Sequence, residues 1–146
     1  MDQIRPWLFI GAYRDTKNLS YLQFKSIHAM LQLAENVEQP EIVSLYLPVE
    51  DLAPISSMHI RQGVDFILEH KAGDHRVLVA CGAGINRSSA FSAAALKEDE
   101  GLPLFEAFKA VKRQHPESMP HQPVWESLCE YYRESIPYLD VMRVRF

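Results

Sequence analysis

At 146 residues, with 47% hydrophobic and 23% charged side chains, the chain has the size and composition of one globular domain, residues 1–146, with no linker, repeat or low-complexity tract. A net charge of −4 without any Lys/Arg block argues against a nucleic-acid-binding protein, whose affinity rests on clustered cations. Two cysteines, Cys81 and Cys129, are too few for a disulfide scaffold, and no apolar run nears the ~18 residues of a membrane span. Trp7–Ile10 is too brief for the core of a signal peptide, so the expectation is a cytoplasmic protein with reduced thiols and neither membrane nor nucleic-acid partners.

Along the chain the apolar rhythm switches between short runs and helical spacing. Leu8–Ile10 reads as a strand, Leu19–Ser26 as a helix, and Ile27–Leu33 and Ile42–Leu47 as further strands. Ser57–Lys71 reads as a helix with Ile60, Val64, Ile67 and Leu68 on one face. Val77–Ala80 is the clearest strand, entered through Gly73-Asp74 and left through a Gly-rich turn. Ser88–Glu98 is an Ala-rich helix. Leu104–Arg113 starts after Pro103 and carries Leu104, Phe105, Phe108 and Val111. Pro123–Tyr132 opens the same way, with Val124, Leu128 and Tyr131 as its stripe. In the tail, Ile136–Phe146, Val144 and Phe146 alternate with Arg143 and Arg145, which fits an edge strand or a loose end. Strands first and clustered helices last predict an α/β fold: a central mixed, mainly parallel sheet of about four to five short strands flanked by helices.

The chemistry concentrates in Val77-Leu-Val-Ala-Cys81-Gly-Ala-Gly-Ile-Asn-Arg87-Ser88. A buried strand ends at Cys81 and a helix begins near Ser88. Between them Gly82 and Gly84 permit a sharp turn that presents backbone N–H groups inward. Such a nest at a helix N-terminus is an anion site, and the planar fork of Arg87 suits two phosphate oxygens at once. The same field favours a thiolate at Cys81, so one loop would bind a phosphate dianion and aim a nucleophile at its phosphorus. A thiolate so placed is also oxidation-prone.

Cys81, five intervening residues, Arg87 and Ser88 resemble the signature of the protein tyrosine phosphatase superfamily, and Cys-Gly-Ala-Gly-Ile-Asn-Arg-Ser resembles its dual-specificity branch. Ile4–Gly11 resembles that branch's opening strand. Leu47–Asp51 and Val64–Ile67 resemble its acid loop and the helix before the catalytic strand. Val111–Tyr132, with Pro116, Pro120 and Trp125, resembles its closing helices. The resemblance implies the cysteine-phosphatase fold and a metal-free, cofactor-free reaction through a phosphocysteine. It places Cys81 as nucleophile and gives the phosphate to Gly82, Ala83, Gly84, Ile85, Asn86 and Arg87. Asp51 becomes general acid and then base, with Glu50 as the rival next door, and Ser88 assists departure of the sulfur. The substrate implied is a phosphorylated protein or peptide, phosphotyrosine first and phosphoserine or phosphothreonine as a shallow pocket permits. Uncharged Gly82, Ala83, Ile85 and Asn86 argue against polyphosphorylated ligands. Two departures stand out: Ala80 replaces the usual His before the nucleophile, and His115-Pro116 and His121 replace an Arg-Pro and an Asn.

Each residue also has a plainer reading. Cys81 alone would pass for a buried structural thiol. Asp51 could cap a turn, and Ser89 reads as an N-cap. Cys129 lies on a helical stripe, and His28, His59, His70 and His75 show no metal-ligand spacing with one another or with Cys81; His115 and His121 are assigned structural roles. A phosphate-binding module without turnover and a phosphatase for a non-protein phosphomonoester remain the alternatives. Arsenate reduction lacks its further redox cysteines, and a rhodanese-type loop places its Arg at another distance.

Overall fold

The computed structural model describes all 146 residues. Five strands form one sheet: β1 (Asp2–Arg5), β2 (Leu8–Ala12), β3 (Ile27–Gln32), β4 (Val43–Tyr46) and β5 (Arg76–Cys81). Their spatial order is β1-β2-β5-β3-β4, with β1 antiparallel to β2 and every other pairing parallel. This is the mixed, mainly parallel sheet the sequence predicts, with β5 at its centre.

Seven helices complete the chain: α1 (Tyr13–Thr16), α2 (Leu19–Phe24), α3 (Ser57–Ala72), α4 (Arg87–Glu100), α5 (Leu104–Gln114), α6 (Gln122–Tyr132) and α7 (Tyr138–Met142). Because strand side chains alternate, the sheet has two apolar faces. Leu8, Ile10, Leu31, Val77, Val79 and Cys81 join α3, α4, α5 and α6 in the main core of 29 buried residues. Phe9, Leu22, Met30, Leu78 and Ala80 form a smaller cluster on the other face, beneath α2. Helix α4 is buried all round from Ser88 to Leu96, and its Ser and Ala side chains let the sheet and neighbouring helices approach closely.

Three elements differ from expectation, the single-turn α1 among them. β1 was not apparent because only Ile4 of its four residues is buried, so it carries no apolar run. The tail is neither an edge strand nor loose: Pro137 starts α7, and Val141 and Val144 pack into the main core at helical spacing. Five helical residues are too few for periodicity to register.

The turn that delivers the chain into β5 carries a histidine pair. His70 Nδ1 lies 2.8 Å from His75 Nδ1, and His75 stacks on His28 at 5.0 Å. One ring of the bonded pair has to accept, so both cannot be protonated without breaking the contact. Burial, and next the neighbouring His75, push His70 below its usual value near 6.5, with Glu69 opposing. A histidine held low in the fold gains its proton first in the unfolded chain. Its contribution is therefore complete above about pH 6.5 and is lost as pH falls below that. Thermal melts between about pH 7.5 and pH 5.5 should show a falling Tm in the parent and a shallower fall in His70→Asn; parallel curves would refute the assignment.

Candidate active site

Alternation along β5 turns Cys81 toward α4, where its Sγ lies 3.1 Å from Ser88 Oγ and is almost wholly enclosed. The loop after it is shaped by where its carbonyls go. Gly82 O accepts from Tyr13 N (3.2 Å), and Gly84 O faces His115 Nε2 (2.6 Å). Ile85 O accepts from Met119 N (3.0 Å) and from Ser89 Oγ (2.6 Å). A peptide that points its carbonyl outward points the next N–H inward. None of the N–H groups from Gly82 to Asn86 has a protein acceptor, and those of Ala83, Ile85 and Asn86, each following an outward carbonyl, turn to the pocket side. Gly84 has φ +74°, and a Cβ there would lie 2.9 Å from the Gly11 carbonyl carbon and oxygen, so only glycine fits without displacing β2.

Arg87 is the first residue of α4, one position before the predicted start. Its Nη1 donates to Val49 O (2.9 Å) and Leu33 O (3.3 Å), which leaves the Nε–Nη2 edge for an anion. Nε lies 3.3 Å from Asp51 Oδ1, close enough to pair electrostatically but off the line of a hydrogen bond. A cation at this end of a helix opposes the dipole; here Asp51, and the anion the loop is built to hold, offset it.

Asn86 joins the site's parts. Its Nδ2 donates to Asp51 O and to Asp51 Oδ1 (2.9 Å), and its Oδ1 accepts from His121 N (2.7 Å). One amide thereby ties the phosphate loop to the Asp51 loop and to the start of α6. Asn86 occupies the N-cap position of α4 yet does not cap it, so the first-turn N–H groups stay open toward the pocket. The sequence singles out Asn86 as a loop residue but not as this bridge; its one polar side chain among Ala83, Gly84 and Ile85 was the available signal.

His115 has the structural role expected, and a specific one. It is 4% exposed, with Nε2 on Gly84 O and Nδ1 2.6 Å from Asp2 Oδ2 and 2.9 Å from Glu117 Oε1. Both ring nitrogens thus face oxygens of neighbouring segments. His121, also read as structural, lines the pocket as well as donating its backbone N–H to Asn86.

The resulting cavity, about 110 Å³, is lined by Asp51, Cys81, Ala83, Ile85, Asn86 and His121. Glu50 lines a different depression, with Pro48, Pro54 and His59. Ala80 lies on the opposite face of the sheet, in the small cluster with Phe9 and Leu22. A sulfur at the floor of an anion nest, with an arginine fork beside it and a carboxylate at the rim, is an arrangement that can bind an oxyanion and face it with a nucleophile.

Comparison with known proteins agrees. Residues 8–134 match the family described as the dual specificity phosphatase catalytic domain, and the chain belongs to that family. Human dual specificity protein phosphatase 5 is 31% identical over 142 residues; the match covers 92% of this chain and 36% of that protein. A mouse putative dual specificity phosphatase, solved in complex with zinc tungstate, superposes with a TM-score of 0.85 at 26% identity, covering 90% of this chain and 86% of that one. A human tyrosine phosphatase-like serine/threonine/tyrosine-interacting protein gives 0.82 at 26% identity, with 91% and 95% covered.

Because His115 reaches the loop only through the Gly84 carbonyl, His115→Ala should leave Cys81 in place but loosen its surroundings. We expect about 1–3 kcal/mol lower stability from the unpaired buried groups and about tenfold weaker phosphate binding at neutral pH. Chemical denaturation and phosphate titration check this; unchanged phosphate affinity would show that the loop holds its shape without the anchor.

Proposed function

We propose that the chain hydrolyses phosphomonoesters on proteins, phosphotyrosine first and phosphoserine and phosphothreonine where the pocket admits the shorter side chains. The observation carrying this reading is the unpaired N–H groups of Gly82–Asn86 in the loop that follows Cys81, with the carbonyls of Gly82, Gly84 and Ile85 tied outward. The tungstate bound by the mouse relative is itself a tetrahedral oxyanion, the shape such a nest accommodates. With only one cation, Arg87, beside an otherwise uncharged loop, the pocket suits a single phosphate group. Both cysteines are free, which fits a reducing compartment such as the cytoplasm.

In the proposed reaction the Cys81 thiolate attacks phosphorus, the S–P bond forms and the P–O bond to the leaving group breaks. Asp51, protonated, gives its proton to the departing oxygen. Water then attacks the phosphocysteine, Asp51 takes its proton, and the thiolate departs with Ser88 Oγ hydrogen-bonded to it. The loop N–H groups and the Nε–Nη2 edge of Arg87 stabilise the equatorial oxygens through both steps. As phosphate enters, Arg87 Nε exchanges Asp51 Oδ1 for a phosphate oxygen, while Asn86 Nδ2 keeps the Asp51 carboxyl at the rim of the pocket.

Turnover of an aryl phosphate should persist in chelator and vanish in Cys81→Ser. A folded parent without turnover would favour the binding-module reading instead.

Asp51→Asn should lower kcat about a hundredfold for an alkyl phosphate and less for an aryl phosphate, whose leaving group needs little protonation. It should also remove one limb of the pH–rate profile, while Glu50→Gln keeps parental kinetics. The reverse pattern would make Glu50 the acid.

A further inference from the structure

A second cavity lined by cations lies beside the turn that follows α5. At the C-terminal end of α5 a cavity of about 340 Å³ is lined by Lys112, Arg113, Pro116, Val144, Arg145 and Phe146. Three of these six are cations, in a chain whose net charge is −4. None of the three forms an ion pair, although ten such pairs exist elsewhere in the molecule.

Lys112 is the unusual member. It is 9% exposed, and its Nζ donates to Pro116 O (3.0 Å) and Ser118 O (2.8 Å). An ammonium has three protons, so one remains after both carbonyls are served. A buried cation is normally matched by a carboxylate, and here only carbonyl dipoles meet it. Arg145 stands close enough to add repulsion, its Nη1 engaged only by the Met142 and Val144 carbonyls. Burial and then Arg145 push Lys112 below its usual value; Glu117 acts the other way but is already held by His115. Arg113 lies over the Phe146 ring at 4.3 Å, which orients its guanidinium and leaves its charge unneutralised.

We propose that this cavity binds a phosphate-type oxyanion, through Lys112 as point charge and the forks of Arg113 and Arg145. Planar guanidinium groups pair two oxygens at once, which favours a phosphate over a lone carboxylate. Val144, Phe146 and Pro116 supply apolar walls for whatever carries it. The carrier is either a free polyphosphate or a phosphorylated side chain of another protein. The site is independent of the reaction proposed for Cys81, yet it is connected to that loop. Lys112 grips the carbonyls of Pro116 and Ser118, in the turn whose His115 and Met119 hold Gly84 and Ile85. An anion that draws Lys112 toward the cavity acts on the turn that shapes the phosphate nest.

The test is amide NMR on the parent and on Arg113→Gln/Arg145→Gln, whose exposed tips can change without emptying the core. Inorganic pyrophosphate and a peptide bearing a non-hydrolysable phosphonate are titrated at constant ionic strength. Saturable shifts at residues 112–118 and 143–146, with affinity at least tenfold weaker in the variant and shifts at 82–88 preserved, support the site. The tighter of the two probes names the carrier. Shifts confined to 82–88, shifts at 112–118 with equal affinity in both proteins, or shifts matched by chloride would each overturn it.

Discussion

The site rests on a single constraint: each peptide of the phosphate loop that turns its carbonyl outward must be met by a donor from elsewhere in the fold. Tyr13 beyond β2, Ser89 in α4, and His115 and Met119 after α5 provide them. None of these donors touches the pocket. They belong to elements gathered from both ends of the chain, so the loop's inward-facing N–H groups are a product of the assembled fold and not of the loop's own sequence. A short stretch of backbone with unpaired donors pointing at one spot would otherwise satisfy itself by forming a turn or helix.

The sheet supplies the complementary constraint. β5 is central and parallel to both neighbours, so its C-terminal end is fixed from either side, by β3 as far as Ala80 and by β2 as far as Cys81. The alternation that buries Val77 and Val79 under α4 also sets the direction of Sγ. Immediately beyond, the backbone is free to bend because Gly82 and Gly84 follow. Rigid strand and pliant turn therefore meet at the sulfur, and the small side chains of α4 allow its N-terminus to come close.

Much of this was legible because the relevant signals are local. The apolar run 77–80, the two glycines, Arg87 and Ser88 occupy one continuous stretch, and each has its own steric or electrostatic signature. Asp51 lines one cavity with Cys81 and Glu50 lines another, a difference between adjacent residues that their sequence alone does not display. What was not legible depends on distance along the chain. Asn86 meets Asp51 and His121 across 35 residues in either direction, and His115 meets Asp2 across 113. Nothing in the residues around Asn86 says what its amide will find. β1 and α7 were hidden for a different reason: each is short, and each is held by one or two buried side chains, so hydropathy has too few residues on which to show a period.

The Asn86 amide also bears on how the pocket meets a ligand. In many enzymes a catalytic loop is disordered until substrate arrives, and part of the binding energy is spent in arresting it. Here the Asp51 segment is moored to the phosphate loop and to the start of α6 by hydrogen bonds within the fold itself. The entropy of that segment is surrendered during folding. A segment so moored spends little of any ligand's binding energy on its own ordering. Selectivity at such a pocket comes from what fits between fixed walls, with closure contributing little.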